Sequence, residues 1–305
     1  MSDGVPRRAL SAKIIRTYLR TGLRGRTRLP FLASRYLKAL QAVAIHFADR
    51  NPVYVDLRDG YAHWLLSGDP WEHAPWETAE QKIMRHFVSP GDVAFDIGAN
   101  LGLHSALLSR LIGPIGTLHV FEVNPALLPN LALTIAGLGN AVLHSWALSN
   151  STGRTAFFVP QDHTKASLAN WLKAFGEDVP PITCEQRRMD DLVLNAVIPY
   201  PNFIKCDVEG AELLVFQGGR SSLDRRDAPI LLFEANAANA RGFGLTILDA
   251  VTFLKNLVSP QYHFFEVLSA GGCLHLKSAR VPHFNVLAVP DSKLPRGPQL
   301  IQLLQ

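Results

Sequence analysis

The stretch Asp92–Ser105, DVAFDIGANLGLHS, decides the fold. An apolar run, Val93-Ala94-Phe95, ends in Asp96, and two glycines follow four residues apart, Gly98 and Gly102. A strand that turns tightly into a helix leaves backbone N–H groups free at the turn, a bed for a small anionic or nucleotide ligand. Neither standard phosphate loop fits. A P-loop needs Lys-Ser/Thr after its last glycine, and this chain has Leu103-His104, so ATP or GTP hydrolysis is not expected. A dinucleotide fingerprint needs Gly-x-Gly-x-x-Gly, and Asn100 holds the middle position of Gly98-Ala99-Asn100-Leu101-Gly102.

The loop therefore bends like a dinucleotide loop without the second bare backbone that lets a pyrophosphate approach. A smaller anion, such as an amino-acid carboxylate, suits it better, and the helix N-terminus favours the negative group. Asp96 stands where it can accept from a ligand ammonium. The next strand, TLHVFE, ends in Glu122, twenty-six residues after Asp96, where an acid faces the 2′- and 3′-hydroxyls of a ribose and repels a 2′-phosphate. Each acid alone reads equally as a helix cap or a surface charge; together they indicate a nucleoside site. A carboxylate, an ammonium and a nucleoside describe S-adenosylmethionine. The third strand, HSWALSN, brings Trp146 and Ala147 to the same sheet edge near the adenine, with core packing as the plainer role for Trp146.

The fourth strand, NFIKCDVEGAELLVF, ends in Asp207-Val208-Glu209-Gly210. Two acids one residue apart on an extended segment point the same way, into the crevice where ligands sit in open α/β sheets. An alcohol nucleophile must lose its proton, and either carboxylate is a candidate base. Each also has a quieter role, Asp207 holding cofactor and Glu209 a backbone amide. Glu212, three residues on, suits the first turn of a helix and needs no catalytic role.

From residue 92 onward strand and helix alternate, with apolar runs at 93–97, 117–122, 141–148, 203–208, 230–235, 263–268 and 284–289. That rhythm predicts a mostly parallel seven-stranded sheet with helices on both faces. CLHLKS and FNVLAV read as an antiparallel last pair. Residues 150–200, polar and broken by Pro180-Pro181, read as an insertion or cap. Residues 53–66 alternate around Asp59-Gly60, a hairpin signal, and 51–77 lead into the core.

The chain of 305 residues carries a net charge of +4, distributed unevenly. Residues 1–50 hold eleven Lys and Arg against Asp3 and Asp49, while the rest holds 19 basic and 24 acidic residues. The front end reads as a basic helical extension, with Pro30 opening a second helix that runs through Leu40 and Ile45. It is a candidate for weak association with an anionic membrane surface. Three dispersed cysteines suggest neither disulfides nor a Cys metal site. The eleven histidines show no His-Glu-x-x-His spacing, so no metal is required. Without an apolar leader or a long apolar run, a cytoplasmic location is expected.

FDIGANLGLHS (95–105), VFEVNP (120–125), WALSN (146–150), FIKCDVEGAELLVFQGG (203–219) and PILLFEAN (229–236) together resemble the FkbM-type methyltransferase family over about residues 78–290. The resemblance implies a class I methyltransferase, Rossmann-like fold and S-adenosylmethionine as methyl donor. It also implies O-methylation of a hydroxyl on a sugar, a glycan or glycolipid, or a polyketide-type product. Asp96, Gly98, Asn100, Gly102 and Glu122 carry over as cofactor residues, and Asp207 and Glu209 as the fourth-strand site. Ala99 lies in the same loop. Cys206 replaces an aliphatic residue, and the first ~50 residues and 291–305 match nothing in the family.

Three rival readings are weaker. An NAD oxidoreductase wants the missing glycine and gives DVEGAE no role. A nucleic-acid methyltransferase would carry an Asp/Asn-Pro-Pro-aromatic segment on the fourth strand, so no nucleic acid is expected as partner. A scaffold that has lost catalysis would have no need for acids at three strand ends.

Overall fold

The computed structural model describes residues 12–19, 21, 28–47, 50–67, 75–269 and 272–294. Helices α1 (Ala12–Leu19) and α2 (Arg28–Ser34) precede an antiparallel pair, β1 (Val43–Phe47) and β2 (Arg50–Val55), then α3 (Gly60–Ser67) and α4 (Pro75–Phe87). The alternating region follows as β3 (Val93–Ile97), α5 (Leu103–Ile112), β4 (Thr117–Phe121), α6 (Leu128–Ala136) and β5 (Ala141–His144). Next come β6 (Ala147–Leu148), β7 (Gly153–Phe158), β8 (Pro181–Arg187) and α7 (Met189–Leu194). The chain then forms β9 (Phe203–Cys206), α8 (Glu212–Gly218), α9 (Arg220–Leu223), β10 (Ile230–Asn236), α10 (Ala237–Gly242) and α11 (Asp249–Lys255). It closes with β11 (Tyr262–Val267), β12 (Cys273–His275) and β13 (His283–Pro290).

The central sheet has the order β12-β11-β13-β10-β9-β3-β4-β5. From β5 to β10 every pairing is parallel, and β13 runs antiparallel between β10 and β11. The chain moves outward from β3 through β4 to β5, then returns to lay β9 on the other side of β3. That reversal opens a crevice at the carboxyl ends of β3 and β9.

Both faces of the sheet are covered, which is why its strands read as nearly continuous apolar runs. Phe95, Ile97, Ile204 and Cys206 belong to one buried cluster, Ala94 and Phe203 to the other. Successive side chains alternate in a strand, so Asp96 and Lys205 share the face of Ala94 and Phe203. Register places Asp96 directly beside Lys205. One charged strip thus lies at the carboxyl edge of an otherwise apolar face.

The alternating core and the antiparallel last strand match the sequence reading. The sheet has eight strands rather than seven, because CLHLKS forms β12 and pairs with β11, not with β13. The 141–148 run divides: β5 stays in the central sheet, and β6 joins β7 and β8 of the 150–200 insertion in a second sheet of order β6-β8-β7. The hairpin expected over 53–66 is absent. Asp59 Oδ1 instead accepts from the Tyr61 amide at 2.9 Å, so Asp59-Gly60 starts α3, and the hairpin is β1–β2. The helix expected from Pro30 to Ile45 ends at Ser34, since Ile45 pairs with Val53 across β1–β2. Much of the basic extension, 1–11, 20 and 22–27, and most of the tail, 295–305, lie outside the described residues. No helix among the described residues is long and apolar enough to cross a membrane.

Candidate active site

The turn after β3 has to bend sharply and lie close to a neighbour. Gly98 has φ +77°, and a Cβ there would stand 1.8 Å from the Asp207 carbonyl oxygen. Only glycine lets the two loops touch. Asn100 has φ +53°, a conformation Asn tolerates better than most residues. Glu122 fixes this shape. Its Oε2 accepts from the Asn100 amide at 2.9 Å, and its Oε1 accepts from the Val123 and Asn124 amides at 2.8 Å each. Burial pushes the Glu122 carboxyl up, while these amide hydrogen bonds pull it down.

Gly98, Ala99, Asn100, Glu122, Trp146, Ala147, Asp207 and Glu209 line a single cavity of about 290 Å³. Eight residues singled out on separate strands of the sequence therefore converge. The insertion forms its roof. Asn124 Nδ2 donates to the His163 carbonyl at 3.3 Å, and Ser167 Oγ donates to the Glu209 carbonyl at 2.8 Å, which ties the roof to both ends of the crevice. His163 lines the cavity, and Trp171 packs against Gly242 of α10. His104 also lines it, with Nε2 3.2 Å from Glu80 Oε2.

Two expected cofactor residues are not among those lining the cavity. Asp96 is 0% exposed and accepts a 2.5 Å hydrogen bond from Ser105 Oγ, so it sits beneath the crevice rather than at a ligand ammonium. Its charge acts on Lys205, in the neighbouring register position. Burial works to lower the Lys205 pKa, but Asp207, Asp96 and Glu80 together hold it raised. Gly102, at φ +80°, packs against α6, where a Cβ would meet Leu131 Cδ1 at 2.8 Å. Its role is to let α5 and α6 approach.

The acids at the other end of the cavity are crowded. Lys205 Nζ lies 3.1 Å from Asp207 Oδ2. Asn239 Nδ2 donates to Glu209 Oε2 at 2.5 Å and to Glu234 Oε2 at 3.3 Å. His283 Nε2 stands 2.8 Å from Glu234 Oε1. Burial pushes the Glu209 carboxyl well up, and Glu234, Asp207 and Glu212 add to it. Glu212 accepts from the Val208 and Gly210 amides at 3.0 and 3.3 Å, which gives it the structural part foreseen at the start of α8. Lys205, Glu234, Asn239 and His283 went unassigned in the sequence. Glu234 was within reach of the rule that found Asp207, being an acid at the carboxyl end of a parallel strand. Asn239 and His283 come into place only through α10 and the antiparallel β13.

The Methyltransferase FkbM domain family matches residues 96–265, more than half of the chain. The chain is 28% identical over 148 residues to the hexuronic acid methyltransferase AglP of Haloferax volcanii. That alignment covers 47% of this chain and 58% of AglP, so the chain matches under two thirds of that relative's length. It is 28% identical over 168 residues to the 2-O-methyltransferase NoeI of Sinorhizobium fredii, covering 48% of this chain and 67% of NoeI. Among solved structures, the precorrin-6y C5,15-methyltransferase of Geobacter metallireducens aligns with a TM-score of 0.41 at 14% identity, over 70% of this chain and 88% of that one.

Proposed function

Because the chain belongs to the FkbM methyltransferase family, we propose that it transfers a methyl group from S-adenosylmethionine to a hydroxyl oxygen of a sugar or sugar-containing acceptor. One observation carries this reading: a single cavity joins the loop held by Glu122 to the acids Asp207 and Glu209. The residues present fit the donor. Asn100 Oδ1 and Trp146 Nε1 are buried with no hydrogen-bond partner among the described residues, and both residues line the cavity. A carboxylate offers about four acceptor positions. Glu122 already uses three on backbone amides, which leaves room for one ribose hydroxyl rather than two. Asn100 Oδ1 is placed to take the other.

When bound, S-adenosylmethionine supplies an electrophilic methyl group on a sulfonium centre. Of Asp207 and Glu209, one accepts the single hydroxyl proton and the other orients the attacking oxygen. Glu209 is the better matched base, since burial and the neighbouring acids raise its affinity for a proton above that of an ordinary carboxylate. Lys205 pairs with Asp207 at 3.1 Å and holds it in position. The insertion roof, tied at His163 and Ser167, excludes water from the transfer.

A sugar is favoured over the lipid and polyketide-type acceptors because AglP is named for hexuronic acid and NoeI for a 2-O position. Incubation with methyl-labelled donor and a panel of hexuronic acids, neutral sugars, lipids and small alcohols tests it. The expected product carries label on a sugar oxygen. Label on nitrogen, or on the lipids and alcohols but no sugar, would contradict the reading. The basic residues 1–50 support a second proposal, that the protein works in the cytoplasm at an anionic membrane surface. Equal partitioning onto anionic vesicles of the full chain and of a variant whose Lys and Arg at 7, 8, 13, 16, 20, 24, 26 and 28 are changed to Gln would remove it.

A further inference from the structure

Glu209 is held in a backbone shape that a glutamate seldom takes. Its φ is +53°, in the left-handed region that disfavours most side chains, and Gly210 follows at φ +98°. Such a conformation persists where surrounding contacts impose it. Two contacts act on this stretch of backbone. Ser167 Oγ of the roof donates to the Glu209 carbonyl at 2.8 Å. On the other side Gly210 lies against α10, where a Cβ would stand 2.6 Å from the Asn239 carbonyl carbon. Asn239 also holds the side chain. Its Nδ2 donates to Glu209 Oε2 at 2.5 Å and to Glu234 Oε2 at 3.3 Å, which spends both hydrogens of the amide. Ionised carboxylates only accept, so the NH2 end of Asn239 is the end that faces them. Asn239 itself is 0% exposed, and Asn236 fixes the turn that carries it by accepting from the Ala238 amide at 3.0 Å.

We infer that Asn239 is a positioning residue for methyl transfer, one that holds the Glu209 carboxylate by Oε2 and leaves Oε1 to the acceptor hydroxyl. The inference rests on the methyltransferase reading and adds a residue that works through the base. Glu209 lines the cavity, and Asn239 is not among the residues that do. A glutamate side chain turns about three torsions, and a carboxylate left to wander loses the alignment that proton transfer needs. The hold is electrostatic as well. Glu209 faces Glu234 of β10, Asp207 after β9 and Glu212 of α8, with Lys205 on Asp207 and His283 on Glu234. Burial and those three acids push its carboxyl up, and the hydrogen bond from Asn239 pulls it down. A donor to the charged form favours that form. Without Asn239, Glu209 therefore stays protonated to higher pH and is a base over less of the neutral range.

NMR titration of the full chain carrying isotope-labelled glutamate carboxyls tests the hold without any acceptor. The Glu209 signal is the one lost in Glu209→Gln. Asn239→Ala should move its midpoint up by about one pH unit. Asn239→Asp keeps the shape, removes the donor and adds an acid, so it should move the midpoint further; it serves where Asn239→Ala does not fold. Rates with methyl-labelled donor and the sugar that accepts the label give the second readout. In both variants kcat at pH 7 should fall about 10- to 100-fold, while the dissociation constant of S-adenosylmethionine stays within about twofold of the parent. The pH at which kcat reaches half its maximum should rise in step with the NMR midpoint. A folded variant whose Glu209 titrates as in the parent, or whose kcat is unchanged from an active parent, overturns the inference. So does a kcat loss matched by an equal loss of donor affinity, the mark of a scaffold residue. A midpoint that shifts in a protein that methylates no sugar leaves the hold on Glu209 standing and defeats the methyltransferase reading.

Discussion

The two ends of the cavity use acids in opposite ways. At the Gly98–Asn100 end, Glu122 is wrapped by three backbone amides, and its charge shapes a loop. At the far end, Asp207, Glu209 and Glu234 face one another, and burial with mutual repulsion pushes the Glu209 carboxyl well up. The first end is preorganised and nearly saturated with hydrogen bonds, as a site that recognises a fixed ligand should be. The second holds unresolved charge, as a site for proton transfer should. Where a protein satisfies its acids it builds structure; where it leaves them in conflict it keeps chemistry available.

Replacing one acid at each end tests that difference. Glu209→Gln should reduce kcat by about 100- to 10,000-fold, the range for loss of a positioned base. Its folding stability should hold or rise, because a neutral amide carries no charge for burial to oppose. A urea unfolding midpoint well below that of the parent would contradict the assignment. Gly98→Val strikes the other end. The added carbons must clear the Asp207 carbonyl, and the backbone stays at φ +77°, so a loss of roughly 3 kcal/mol in stability is expected. Donor affinity should fall with it, seen by calorimetry.

Glu122→Ala should cost about 2–3 kcal/mol in urea unfolding, since buried amides of 100, 123 and 124 lose their acceptor and water repairs only part. An unchanged midpoint would show that Glu122 does not hold the loop. A smaller effect follows from a pair beneath the donor end. His119 Nδ1 and His144 Nε2 lie 2.9 Å apart, and burial lowers both to about 4. His144 stacks on Phe121 and leans on Trp146. A histidine whose folded pKa lies below its unfolded value, about 6.5, binds fewer protons folded than unfolded. Stability from the pair is therefore complete above pH 6.5 and is lost as pH falls toward 4. Unfolding midpoints measured across that window should decline, and a His119→Leu variant should flatten the decline.

The alternating core was legible because strands buried on both faces read as apolar runs, and the turn after β3 carries its own glycines. Glu122, Asp207 and Glu209 were legible because a carboxyl end of a parallel strand is one predictable edge. Two features misled. Asp59-Gly60 has the composition of a hairpin turn and equally that of a helix start, and only the Tyr61 amide distinguishes them. Asp96 stands at a strand end like the others, yet it is the last residue but one of β3 and faces inward, onto the side of Ala94. One residue of register separates a ligand contact from a buried partner of Ser105. Lys205, Asn239 and His283 owe their roles to tertiary pairing, and no local spacing announces it.

The central claim is that the cavity between the Gly98 loop and Asp207 holds S-adenosylmethionine. Isothermal titration of the full chain with S-adenosylmethionine and, separately, with NAD tests it directly. Saturable one-site binding of S-adenosylmethionine, abolished in a folded Gly98→Val variant, and no binding of NAD is the predicted result. Binding of NAD with no heat or protection from S-adenosylmethionine would contradict it.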